Sequence, residues 1–443
     1  MFYSKNLVNY QFSFVFFVIG ILILRCIFYF WIIEQFRDDH IFILRAFYYT
    51  QSRLFGSESK SNIVVILVNL ERRLFVKQIN PECIYQGRHS ASLESVHEGY
   101  PHAPCRLGRM FLFEQWHLFL ATMEANKLLG AQLIIAHIQS IIQTLIPLLK
   151  IYENEGILQI RPSLRMPSKQ NLLFDPNEET LWNNQLNNFH ECLYEFKEST
   201  EFIGFPDWDD ILLASGAIPF TDQLKHFSIA NPHIAAFLPK RYPGQIDNLE
   251  TLFNKTIISP IEHLFFDSIK FSIWPEDNEF ISKIFLRPHL VNSVDLHGAG
   301  HIIENFIQDE LPENIAFFVH ARDFKNIQLT TILPQALLLT SNTLLTLQHH
   351  NISSFSSSLL LKRLPKKEKY LNLLNTCLKR KNIEGRVRTQ KRSKCFNYAQ
   401  CKPEIKLEIE DYCLNTDNQW GEIYLPNRQL SAFVLFESRL KTR

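Results

Sequence analysis

The chain has 443 residues, nearly half of them apolar, with 37 Phe and a formal net charge of +1. That length is ample for a large buried core, and the composition excludes a disordered polymer. The near-zero charge gives no global attraction to nucleic acid or to anionic membranes.

From the N-terminus, residues 12–33 form a 22-residue apolar run, FSFVFFVIGILILRCIFYFWII, interrupted only by Arg25. As a helix it would measure roughly 33 Å, enough for a hydrocarbon core about 30 Å thick. Arg25 at mid-span would cost about 2.5–3.5 kcal/mol, which the flanking Phe, Ile and Leu offset. The run is longer than the core of a cleaved signal, and no small-x-small site follows. It predicts one N-terminal transmembrane signal anchor behind a cytoplasmic tail, residues 1–11. The rest then lies in the lumen of the Golgi or endoplasmic reticulum, a single-pass type II topology.

Cys83, Cys105, Cys192, Cys377, Cys395, Cys401 and Cys413 lie beyond the run, an odd number that suits an oxidising compartment and leaves at least one unpaired within the chain. Cys395 to Cys413 cluster in a Lys-rich, loop-like stretch of the kind a disulfide would staple. Asn254 and Asn351 begin glycosylation triplets for a lumenal body.

Residues 34–60 show no strong period and predict a stem; 61–69 are a β-rich apolar run. Residues 113–129 carry Trp116, Leu120, Met123 and Leu128 at helical spacing, with Gly130 where a C-cap belongs. A buried-type strand at 132–138, a second helix at 140–155 despite Pro147, and a short strand at 157–161 follow. A third helix at 178–198 leads into a strand, 201–206, that ends at Asp207. This alternation predicts parallel strands with helices on their faces, and ligands bound beyond the strands' carboxyl ends. Residues 283–288 and 314–322 predict two more strands. The basic stretch 362–394 has no interleaved aromatics, zinc spacing or recognition pattern; it predicts a solvated, partly disordered segment rather than a nucleic-acid surface. The expected division is a lumenal domain at 61–345 and a C-terminal basic, Cys-containing segment at 346–443.

Asp207-Trp208-Asp209-Asp210 is the sharpest chemical feature. Three acids in four residues repel one another unless a cation is near. Carboxylates are what Mg²⁺ or Mn²⁺ prefer, often bridging to substrate phosphates. A solvated turn or a helix N-cap is the plainer alternative for so short a pattern. His297 and His301 are four apart, but Gly298 and Gly300 argue against a zinc-binding helix. His320 and Arg322 alternate at a strand end and so share a face, a metal-type ligand beside a phosphate-type cation. Lys283 and Arg287 face either phosphate or water by the same logic. A phosphatase with a nucleophilic first Asp also suits D-x-D after a strand, but it would want Thr or Val where Asp210-Ile211 stands.

The order of these features resembles glycosyltransferase family 92 over residues 105–324. The series runs Cys105, Trp116, Glu124, Gly130, YENEG at 152–156, Gln185, Cys192, FPDWDD, Lys283, Arg287-Pro288, His297-Gly298 and His320-x-Arg322. The resemblance implies a GT-A-like, Rossmann-type mixed sheet flanked by helices, behind one transmembrane helix. It implies hexosyl, specifically galactosyl, transfer with inversion from a nucleotide sugar, UDP-linked, to a glycan acceptor, with Mn²⁺ or Mg²⁺ as cofactor. Asp207 and Asp209 would hold the metal, with Asp210 as third acid and either His297 or His320 completing the shell. Arg322 and Lys283 would answer the diphosphate charge. Glu276 and Asp277 are the candidates for the catalytic base that inversion requires. His137 stands where the family pattern has an aromatic, and Glu191 where it has Asp. Those departures keep open a non-catalytic, sugar-binding or structural relative.

Overall fold

A computed structural model describes residues 40–52, 60–70, 102–104, 110–163, 165–166, 177, 184–214, 218–246, 270–272, 282–322, 363–389, 401, 413–425 and 430–442. The expected anchor at 12–33, the candidate bases Glu276 and Asp277, and both glycosylation triplets lie outside these residues. Among the described residues no helix is long and apolar enough to cross a membrane.

The first described elements are β1 (His40–Ser52) and β2 (Lys60–Leu70), so much of the expected stem is an extended strand. β3 (His102–Pro104) precedes α1 (Trp116–Leu128), which is buried on nearly every side. Gly130 follows α1 at φ +83°, a conformation that costs a residue without a Cβ little. β4 (Ile134–Ile138) and β5 (Ser140–Ile142) come next, then α2 (Ile146–Asn154). The second helix therefore starts six residues later than 140. Its first turn holds Pro147, where the missing N–H has no intrahelical partner to lose. β6 (Leu158–Pro162) returns parallel to β4.

α3 (Gln185–Phe196) presents Phe189, Cys192, Leu193 and Phe196 to the core. Then follow β7 (Phe202–Gly204), β8 (Asp210–Ala214), α4 (Phe220–Ala230) and the long β9 (Ile234–Gln245). β10 (Lys270–Phe271), β11 (Phe285–Leu286), β12 (Val291–Val294), β13 (Ala299–Ile302), β14 (Ile307–Leu311) and β15 (Ala316–Ala321) complete the strands of this region. The strand expected at 283–288 is thus two residues long, and Lys283 precedes it. α5 (Tyr370–Thr389), β16 (Cys413–Leu425) and β17 (Leu430–Thr442) close the chain.

The main sheet runs β3-β7-β11-β9-β15-β8, with β10 and β14 also paired to β9. It is mixed. β9 and β15 are parallel, whereas β8 lies antiparallel to β15 and β11 antiparallel to both β7 and β9. Side chains alternate across β8 and β15. Ile211, Leu213, Phe317 and Val319 pack with α1, while Leu212, Ala214, Ala316 and Phe318 pack with α4. The two helices thereby cover opposite faces. A second sheet, β2-β1-β17-β16-β5, joins the first part of the chain to its last part through β5.

The basic stretch is not a solvated tail over residues 370–378. Tyr370, Leu374, Cys377 and Leu378 of α5 are buried in the same core as α1. Glu114 accepts the backbone N–H groups of Tyr370 and Leu371 at 2.7 and 2.8 Å, satisfying donors that a helix start leaves open. Trp116 donates its indole N–H to the Pro365 carbonyl at 2.9 Å. Cys401 is bonded to Cys377. One apolar stripe of a basic helix finds the core, while Lys379 and Arg380 stay exposed.

Candidate active site

The acid turn spans the gap from β7 to β8. It is closed by the Asp210 N–H, which donates to the Asp207 carbonyl at 3.1 Å, and by the Asp207 N–H, which donates to Asp210 Oδ2 at 3.1 Å. Trp208 anchors it from below. Its indole is buried beside Phe113 and Phe119, with ring centroids 6.4 and 5.2 Å away, and its carbonyl accepts the Thr122 hydroxyl at 2.8 Å. The apolar residue between the acids therefore fixes the turn to α1.

Each acid meets a different cation. Asp207 pairs with Lys283 Nζ at 2.7 Å and accepts from Gln185 Nε2 at 2.9 Å. Asp210, fully buried, pairs with the buried Arg241 Nε at 2.8 Å. Arg322 Nε pairs with Asp209 Oδ2, and His320 Nε2 lies 3.5 Å from the same oxygen. Strand pairing explains the convergence. Antiparallel β8 and β15 set Asp210 opposite His320, and the Asp209 carbonyl accepts the Ala321 N–H at 2.7 Å.

The electrostatics follow from this pairing. Burial pushes Asp209 up, but Arg322, His320 and Arg241 outweigh it and hold the carboxyl well below its usual range. Burial likewise opposes Asp207, and Lys283 overcomes it to leave that carboxyl low. Burial pulls Arg322 down, and Asp209 more than restores it, so the guanidinium stays charged.

One ligand atom each from Asp209, Asp210 and His320 lie within 4.8 Å of one another. Ligands on an octahedral Mg²⁺ stand about 3 Å apart when adjacent and about 4.2 Å when opposed, from bonds near 2.1 Å. A spread of up to 4.8 Å is slightly wider than that shell, so two carboxylates and an imidazole offer a donor set that a divalent cation would have to draw together. His297 is not in the group. It hydrogen-bonds the Ser282 carbonyl through Nδ1 at 3.1 Å, and burial with the nearby Lys283 lowers its pKa. Both histidines lie near the acid turn, His297 within electrostatic reach of Asp207 and Lys283, but His320 is the one in the three-ligand cluster.

Arg287 is not brought there either. Its guanidinium reaches the Pro232 and Ile234 carbonyls at 2.9 and 3.5 Å, at the start of β9. Arg241 is seven residues further along that strand, on the order of 23 Å away in extended chain. Arg241 is not among the sequence candidates, although an Arg within the largely apolar run IAAFLPKRYPGQ needs a partner. Gln185 stood out in the sequence without a role and proves to hold Asp207.

The sequence profile of glycosyltransferase family 92 matches residues 103–388. The chain belongs to glycosyltransferase family 92. The matched region runs past residue 324 and takes in nearly all of α5, in keeping with the burial of Tyr370, Leu374, Cys377 and Leu378. Curated relatives from Caenorhabditis elegans include glycosyltransferase family 92 protein F59C6.8, 32% identical over 49% of this chain and 40% of that protein. Protein F13G3.3 is 23% identical over 58% of each chain. Protein ZK381.2 is 26% identical over 46% of this chain and 39% of its own length. The chain thus spans between about two fifths and three fifths of these family 92 relatives.

Proposed function

We propose that this family 92 chain transfers a hexosyl group, galactosyl by resemblance, from a UDP-linked sugar to a glycan acceptor with inversion, using Mn²⁺ or Mg²⁺. The observation that carries this is the convergence of Asp209, Asp210 and His320 beside an exposed Arg322. Asp209 and His320 would hold the ion, with Asp210 as the third ligand and the strut of the turn; Asp207, expected beside Asp209 on the metal, pairs with Lys283 and lies outside that cluster. When bound, the ion stabilises negative charge on the departing diphosphate and acts as a template. Arg322 answers the remaining phosphate charge, and Trp208 with Thr122 keeps the turn in place. Inversion needs a carboxylate to take the acceptor hydroxyl's proton. Glu276 and Asp277 remain the candidates. The anchor at 12–33 and a Golgi or endoplasmic reticulum lumen complete the proposal; the disulfide between Cys377 and Cys401 supports an oxidising compartment.

The test is a panel of nucleotide sugars offered to the full-length protein with and without Mn²⁺, scoring donor turnover and product. Metal-dependent turnover that Asp209→Asn abolishes while the variant stays folded is the expected result. No turnover of any donor by the wild type would favour the non-catalytic relative.

A further inference from the structure

Three acids and three cations meet in this site, but the cations are not equivalent. Lys283 is 2% exposed and also donates to the Leu296 carbonyl at 3.2 Å; the Arg241 side chain is 4% exposed. Both are built into the core. The Arg322 side chain is 56% exposed while its carboxylate partner is 16% exposed. Its backbone is held, since its N–H donates to the Gly244 carbonyl at 2.9 Å. The side chain, unlike those of Lys283 and Arg241, is not enclosed by the core. It sits on Asp209 Oδ2, the oxygen that also faces His320.

We infer that Arg322 is an exchangeable counter-ion, displaced from Asp209 by the donor's diphosphate, so that metal and nucleotide bind with strong positive coupling. This rests on the metal-dependent reading above and adds an order of events to it. With no nucleotide present, Arg322 occupies the carboxylate a divalent ion needs and repels that ion by its charge. A diphosphate offers the guanidinium two anionic groups in a geometry suited to paired N–H donors. Once Arg322 turns to them, Asp209 is released toward the ion. By linkage the ion must then tighten diphosphate binding by the same factor.

A diphosphate also ligates a metal directly, so coupling alone does not isolate Arg322. The discriminating quantity is the affinity for Mn²⁺ with no nucleotide present, measured by calorimetry or by the electron-spin signal of free Mn²⁺ on the full-length protein. Arg322→Gln should bind Mn²⁺ alone about 10–100-fold tighter than wild type, within the span of ordinary coupling factors. The gain in Mn²⁺ affinity on adding UDP should shrink correspondingly. Equal or weaker binding of Mn²⁺ alone by Arg322→Gln overturns the exchange and leaves the metal site standing. Absence of Mn²⁺ binding by both proteins, even with saturating UDP, removes the exchange and the metal-dependent reading together. Circular dichroism of the variant guards against misfolding, and the exposure of Arg322 makes a folded variant the expected outcome.

Discussion

Arg241→Met compares a buried ion pair with an exposed one of equal length. Arg241 Nε and Asp210 Oδ1 are 2.8 Å apart with side chains 4% and 0% exposed. Lys127 Nζ and Glu155 Oε2 are also 2.8 Å apart, but with side chains 30% and 31% exposed. At that distance the attraction between unit charges is about 6 kcal/mol at an effective dielectric of 20 and about 1.5 kcal/mol in water. Desolvation offsets most of the first figure while the pair is intact. Removing Arg241 leaves Asp210 buried without its cation, a loss of about 3–5 kcal/mol. Lys127→Met should cost under about 1 kcal/mol. Adding Asp210→Asn to Arg241→Met removes the stranded charge and should recover part of the loss. Urea unfolding of the three variants measures this. Arg241→Met costing no more than Lys127→Met, or a double variant no more stable than the single, would refute the reasoning.

Three further outcomes are expected. Burial lowers the His117 pKa to about 3, so the folded state favours neutral imidazole. Its stabilising effect is present above the unfolded value of about 6.5 and is lost as pH falls toward the folded value. Between pH 7 and pH 5 that is about 2 kcal/mol, and His117→Gln should abolish this part of the slope in urea titrations. A Cβ on Gly204 would overlap the Phe285 ring, which itself packs on Phe220 and Phe318. Gly204→Ala should therefore lower stability by about 1–3 kcal/mol, read from the urea midpoint. Replacing Cys377 and Cys401 by Ser opens a loop with a sequence separation of 24; the expected loss is about 3 kcal/mol, seen as earlier unfolding than wild type under non-reducing conditions.

Much of this arrangement was legible in the sequence because it is local. The period of α1, the turn glycine after it, and alternation on β15 place His320 and Arg322 on one face without any knowledge of neighbours. Both indeed contact Asp209. What failed to show was long-range. Whether His297 or His320 joins the acids depends on the antiparallel pairing of β8 with β15, and no spacing encodes it. Arg287 follows Lys283 by four residues, yet Lys283 ends on Asp207 of the acid turn and Arg287 on the Pro232 and Ile234 carbonyls at the start of β9. The basic stretch misled because charge dominates its composition, while Tyr370, Leu374, Cys377 and Leu378 form a narrow stripe that matters only once α1 is there to receive it. Lys and Arg stems tolerate such placement, with charged ends in water and apolar neighbours inside.

The central claim is that Asp209 and His320 grip a divalent ion. Titrating Mn²⁺ into the full-length protein with UDP present tests it most directly, comparing wild type with Asp209→Asn and His320→Ala. Both variants should lose more than about 100-fold in Mn²⁺ affinity, beyond the roughly 10–100-fold that loss of an outer-shell partner costs. Wild-type Mn²⁺ affinity in both folded variants would contradict the assignment.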